Sequence, residues 1–171
     1  GSAIQSFLNQ LQDENIYINV VSKSGTTFET LVAFRILRNY MEMRYGDEAK
    51  NRIIITTEPN PTNLLNKIAD LYEYRTLSIP QNVGGRFSVL TSVGLLPLQV
   101  AGMDVESMLS GACAAQLDLM SPKLEENAAY QYAVHRAQYY NRGYTVELLA
   151  SFEPQLSGLH EWWVQLFAES E

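Results

Sequence analysis

Residues 20–30 read VVSKSGTTFET, and they follow directly on the apolar stretch IYINVV. Ser22, Ser24, Thr26 and Thr27 supply hydroxyl donors, Lys23 a point charge, and Gly25 a place where backbone can approach a ligand closely. This is the chemistry of an anion cradle. If a helix starts after Thr27, its unpaired first-turn N–H groups and partial positive charge extend the donor set. The same residues read equally well as a Ser/Thr-capped helix start with a glycine turn, which needs no ligand. The stretch alone leaves both readings open. It is not a Walker loop, and no G-x-G-x-x-G for a dinucleotide occurs. A second stretch, IPQNVGGRFSVLTSVGLLPLQVAG (79–102), sets Gly84, Gly85 and Arg86 between an expected strand end and a helix that Ser88 is expected to cap. The paired glycines permit a tight turn, and Arg86 presents a permanently charged planar fork suited to developing negative charge. An arginine that simply pairs with a surface carboxylate fits the stretch as well.

The elements that must position these residues alternate. Short apolar runs at 16–22 (IYINVVS), 52–57 (RIIITT) and 76–80 (TLSIP) read as strands. Between them, apolar positions Leu31, Phe34, Leu37 and Met41 have near-helical spacing and stop at Gly46, and TNLLNKIADLYEY reads as a helix capped by Thr62. Strands apolar throughout and separated by helices predict a parallel sheet covered on both faces. In such sheets ligands sit beyond the carboxyl ends of the strands, and Ser22–Thr27 falls at one. From Ser88 to Tyr140 the pattern is mostly helical, YTVELLAS (144–151) is the one later strand candidate, and a helix closes the chain. The expected class is α/β, a doubly wound, flavodoxin-like parallel sheet with a C-terminal helical extension. The expected division is 1–120 for the sheet domain and 121–171 for the extension.

With 171 residues, 46% of them apolar, the chain is long enough for a real core. A net charge of -7 and the lack of a basic stripe argue against a nucleic-acid surface. No apolar run reaches the ~18 residues of a membrane span, and no signal-peptide pattern opens the chain. The single cysteine, Cys113, suits a reducing compartment and, in the small-residue run SGACAAQ, reads as a buried structural thiol. Gly1-Ser2 reads as a cloning scar, and the chain as a piece of a longer protein.

SKSGTTFET and GGRFSVLTSVGLLP together resemble the two signatures of bacterial glucose-6-phosphate isomerases. The first also resembles the phosphate turn of the wider sugar-isomerase (SIS) domains, and the closing EWWVQLFAESE resembles a third family segment. The resemblance implies an SIS-type sheet domain and interconversion of glucose 6-phosphate and fructose 6-phosphate through a cis-enediol, without metal or organic cofactor. It implies that Ser22, Lys23, Ser24, Gly25, Thr26 and Thr27 hold the substrate phosphate and that Gly85 and Arg86 lie beside the reacting carbons, with Arg86 stabilising the enediolate. Gln165 would contact substrate, and Glu169 would be the base that shuttles the proton. Residues four apart share one helix face, and apolar neighbours of Glu169 are expected to desolvate it. The family also uses an earlier phosphate loop and a later histidine and lysine for ring opening, and nothing here matches them. His135 and His160 read as helix-surface histidines. Since the family histidine comes from the partner subunit, a cytoplasmic homodimer is implied. A sugar-phosphate-sensing module of a regulator remains the alternative.

Overall fold

The computed structural model describes residues 2–11 and 14–170, and the chain divides by contact into two compact units, 1–97 and 98–171. The first unit contains α1 (Ser2–Gln10), β1 (Ile18–Val21), α2 (Phe28–Tyr45), β2 (Ile53–Thr57), α3 (Leu64–Tyr72) and β3 (Arg75–Ser78). The boundary falls in α4 (Ser92–Val100), at Pro97. The three strands form one parallel sheet in the order β1-β2-β3. Parallel neighbours need long crossovers, and α2 and α3 supply them.

Register follows from burial. Ile18 pairs with Ile53 and Val20 with Ile55, so these four side chains share one face. They join Phe34 and Met41 of α2 and Leu65 and Ala69 of α3 in a single core, in which Met41, Ile53, Ile55 and Leu65 are wholly inaccessible. Each such side chain contributes about 1.5–3 kcal/mol on burial. A one-residue slip would turn this face outward, which makes the register strongly preferred. α2 stops where Gly46 takes φ +54° and donates its N–H to the Glu42 carbonyl.

The second unit is helical: α5 (Val105–Leu119), α6 (Ala128–Asn141) and α7 (Ser157–Ser170). Asn127, only 1% exposed, joins the first two. Its Oδ1 accepts from Ala129 and Tyr130 N–H, both at 3.1 Å, while Nδ2 donates to the Leu119 and Ser121 carbonyls at 2.9 Å. The Arg136 guanidinium lies 4.3 Å from the Phe167 ring centroid, bringing α6 and α7 together.

Five sequence expectations differ from the structure. Residues 144–151 form no strand; Tyr144 N–H closes a turn on the Tyr139 carbonyl, Glu147 is held by Tyr132 and Arg136, and no strand of this unit offers a partner among the described residues. Asn63, not Thr62, caps α3, because Thr62 is engaged with Asn60. Ser88 lies inside a 3₁₀ turn (Gly85–Leu90) and donates to the Gly85 carbonyl, so Thr91 Oγ1 takes the Val93 N–H at the start of α4. Cys113 is exposed, because its face of α5 is left uncovered by the described residues. His135 is exposed as expected, whereas His160 is half-buried and its Nε2 has no hydrogen-bond partner among the described residues.

Candidate functional site

β1 delivers Ser22 to the carboxyl edge of the sheet, where its N–H extends the ladder by donating to the Thr56 carbonyl at 3.1 Å. From there the chain turns through Gly25, at φ +67°, into α2. Ser22 Oγ lies 2.9 Å from Thr27 Oγ1 and accepts the Gly25 N–H at 3.2 Å. Ser24 Oγ accepts both the N–H and the hydroxyl of Thr26. The turn is therefore closed on itself by its own hydroxyls. Thr27 sits at the N-cap of α2, but its side chain makes no cap hydrogen bond. The first-turn N–H groups, which a helix cannot pair internally, are thus not taken up by the cap residue. That distinguishes the turn from an ordinary Ser/Thr-capped helix start. Ser22 is buried, while Ser24, Thr26 and Thr27 are exposed.

Asn63 underlies the turn, and the sequence reading missed it. It is 6% exposed. Its Nδ2 donates to the Lys23 carbonyl at 3.0 Å and to Thr57 Oγ1 at 2.8 Å, while Oδ1 accepts the Leu65 N–H at 2.9 Å. Thr57 Oγ1 in turn donates to the Ser22 carbonyl at 2.6 Å. A Cβ on Gly25 would lie 1.8 Å from Asn63 Oδ1. The glycine is thus required twice, by its positive φ and by the amide packed against it. The available signal was an asparagine directly before the apolar helical pattern LLNKIADLY.

Lys23 is half-buried and turned toward the loop after β3. Its Nζ donates to the Gln81 and Val83 carbonyls, at 2.6 and 2.8 Å. Both lie in the loop that leads from β3 to Gly84, Gly85 and Arg86. Neither glycine has positive φ, so the pair is not demanded by backbone strain. Around Gly85 the space where a side chain would stand is open, which leaves the backbone approachable. Arg86 is half-buried, with its guanidinium 5.0 Å from the Phe87 ring centroid.

Gln165 and Glu169 belong to the second unit. They lie one turn apart on α7, and Gln165 Nε2 donates to Glu169 Oε1 at 3.0 Å, as the four-residue spacing predicts. Glu169 is exposed, so the expected desolvation is not provided by the described residues of this chain. A hollow of about 660 Å³ in the same unit, lined by Arg136, Tyr139, Tyr140, Tyr144 and Glu147 among others, contains neither residue.

Fold and turn together define a parallel α/β protein with a built, hydroxyl-rich candidate anion site at the carboxyl ends of its strands. The family model described as phosphoglucose isomerase matches residues 1–171, and the chain belongs to that family. It is 48% identical over 168 residues to a glucose-6-phosphate isomerase of Symbiobacterium thermophilum, covering 98% of this chain and 38% of that protein. A glucose-6-phosphate isomerase of Bacillus cereus is 49% identical over 169 residues, with 98% and 37% covered. Among solved structures, a hypothetical protein from Thermus thermophilus superposes with a TM-score of 0.89 at 34% identity, covering 98% of this chain and 40% of that one. A glucose-6-phosphate isomerase from Chlamydia trachomatis gives a TM-score of 0.64 at 25% identity, with 82% and 26% covered. The chain thus spans less than two-fifths of the length of these two curated relatives.

Proposed function

We propose that the protein carrying this chain is an aldose–ketose isomerase that interconverts glucose 6-phosphate and fructose 6-phosphate. The observation that carries the reading is the turn Ser22–Thr27, a ring of mutually bonded hydroxyls at an α2 N-terminus that its cap residue leaves uncapped, in a chain that belongs to the phosphoglucose isomerase family. In this reading Ser22, Ser24, Gly25, Thr26 and Thr27 receive the substrate phosphate. Glu169 removes the C2 proton of the open-chain aldose. The C–H electron pair becomes the C1–C2 double bond of a cis-enediolate as the C1 carbonyl π electrons move onto oxygen. The O2 hydroxyl proton passes to O1, and return of the carried proton to C1 as C2–O2 becomes the carbonyl gives the ketose. A carboxylate suits this exchange, and a cation beside the developing oxyanion lowers the barrier, the role proposed for Arg86 beside Gly85. Gln165 contacts the substrate and orients Glu169 through their hydrogen bond.

The proposal extends to a homodimer acting in cytoplasmic glycolysis and gluconeogenesis, supported by family membership. No described helix is long and apolar enough to cross a membrane. The test is a coupled assay of fructose 6-phosphate formation from glucose 6-phosphate by the protein at the length of its relatives. Turnover supports the reading, whereas sugar-phosphate binding without turnover would favour a sensing module.

A further inference from the structure

Lys23 makes contacts that an anion ligand does not need. Its carbonyl sits in a socket, accepting from Asn63 Nδ2 at 3.0 Å and from the Glu58 N–H at 3.4 Å. Its ammonium, at the far end of a half-buried stem, donates to two backbone carbonyls about sixty residues away, Gln81 and Val83. One residue thereby touches all three loops at the carboxyl edge of the sheet: the turn after β1, the segment between β2 and α3, and the loop after β3. A lysine reaching for a phosphate would point its charge into the space above the turn. This one satisfies carbonyl oxygens that the loop's own bonds, Val83 N–H to the Pro80 carbonyl and Phe87 N–H to the Gly84 carbonyl, leave unused.

We propose that Lys23 is a positioning residue for Arg86 and not a ligand of the anion: its ammonium fixes the Gln81–Val83 loop, and so sets where Gly85 and Arg86 stand relative to the Ser22–Thr27 turn. This rests on the assignment of Arg86 to the site made above. A positioning role has its own kinetic pattern. Loss of the strut leaves the phosphate donors in place but lets the guanidinium wander, and small misplacements of a catalytic group cost up to about 10²-fold in rate. Loss of an anion ligand acts instead on binding.

The experiment compares Lys23→Met, which keeps the stem but removes the ammonium, with Lys23→Arg, whose fork retains donors for the two carbonyls. In the protein at the length of its relatives, Lys23→Met should lower kcat roughly 10–100-fold, with the dissociation constant of inorganic phosphate changed less than about threefold. Amide exchange at Val83–Phe87 should accelerate in the same variant. Lys23→Arg should recover part of both kcat and protection. A weakened phosphate affinity with unchanged kcat overturns the proposal, as does unaltered exchange at Val83–Phe87. Should Lys23→Met fail to fold, Lys23→Arg carries the test: kcat and loop protection must shift together, with phosphate affinity retained. Absence of isomerase activity in the unsubstituted protein would refute the reading of the site, and the exchange measurement would still decide whether Lys23 holds the loop.

Discussion

Placing a methyl group on Gly25 tests the construction of the anion turn. Gly25→Ala meets two obstacles: a backbone held at φ +67°, and Asn63 Oδ1 at 1.8 Å from the new Cβ. The left-handed conformation costs a non-glycine residue about 1–2 kcal/mol. Moving Asn63 aside removes the cap of α3, worth about 1 kcal/mol. It also removes the bonds to the Lys23 carbonyl and Thr57 Oγ1, worth roughly 0.5–1.5 kcal/mol each. The total is roughly 3–6 kcal/mol, a large part of the stability of an ordinary domain. A double-mutant cycle separates the parts. In an Asn63→Ala background the clash and the lost bonds no longer count, so Gly25→Ala should then cost only the ~1–2 kcal/mol of backbone strain. Urea unfolding, read as a midpoint shift at constant m, measures all four corners. If Gly25→Ala carried its full penalty without the Asn63 side chain, the amide would not be what reserves that position for glycine.

Three further outcomes are expected. Thr27→Ala and Ser22→Ala should each weaken inorganic phosphate binding by roughly 10–100-fold, since hydrogen bonds to a charged group are worth about 1.5–3 kcal/mol; calorimetric titration showing no change would remove these hydroxyls from the site. Asn127→Ala should destabilise the second unit by about 1–3 kcal/mol, because it deletes the α6 cap and takes the donor from the Leu119 and Ser121 carbonyls; a change within 0.5 kcal/mol or so would mean that water replaces it readily. Asp104 caps α5, and hydrogen bonds from the Ser107 hydroxyl and N–H hold its carboxyl below the ordinary aspartate value. A group lowered on folding stabilises above its unfolded value near pH 4 and loses that contribution as pH falls through the lower folded value. α5 should therefore loosen on acidification below about pH 4, less so in Asp104→Ala, and identical acid limbs by circular dichroism would contradict this.

The sheet was legible because its physics is local. Ile53 and Ile55 belong to a continuous β-branched run, and Leu31, Phe34 and Met41 mark a helix face before any contact is known. Only the ends of the strands moved, by one or two residues. The turn after β1 was legible as a donor set, but not its support. Asn63 looks like any polar residue near a helix start, and its bonds to Lys23 and Thr57 exist only once the parallel register brings the strand-end loops together. For the same reason the bonds of Lys23 to the Gln81 and Val83 carbonyls are not legible: nothing in SKSG announces partners about sixty residues on. Residues 144–151 failed in the opposite way. Their alternation is strand-like, but a strand is a pairing, and the second unit provides helices. The separation of Gln165 and Glu169 by four residues survived because helical geometry alone determines it.

Glu169 is the proposed carrier of the proton between C2 and C1. The direct measurement is solvent deuterium incorporation at C2 of glucose 6-phosphate, followed by NMR, in the protein at the length of its relatives and in its Glu169→Gln variant. The amide keeps the size of the side chain and a carbonyl able to accept from Gln165, but it cannot take a proton. Exchange and turnover should fall together by at least about 10²–10⁴-fold while sugar-phosphate binding is retained. Exchange in Glu169→Gln at the rate of the unsubstituted protein would contradict this and assign the proton to another residue.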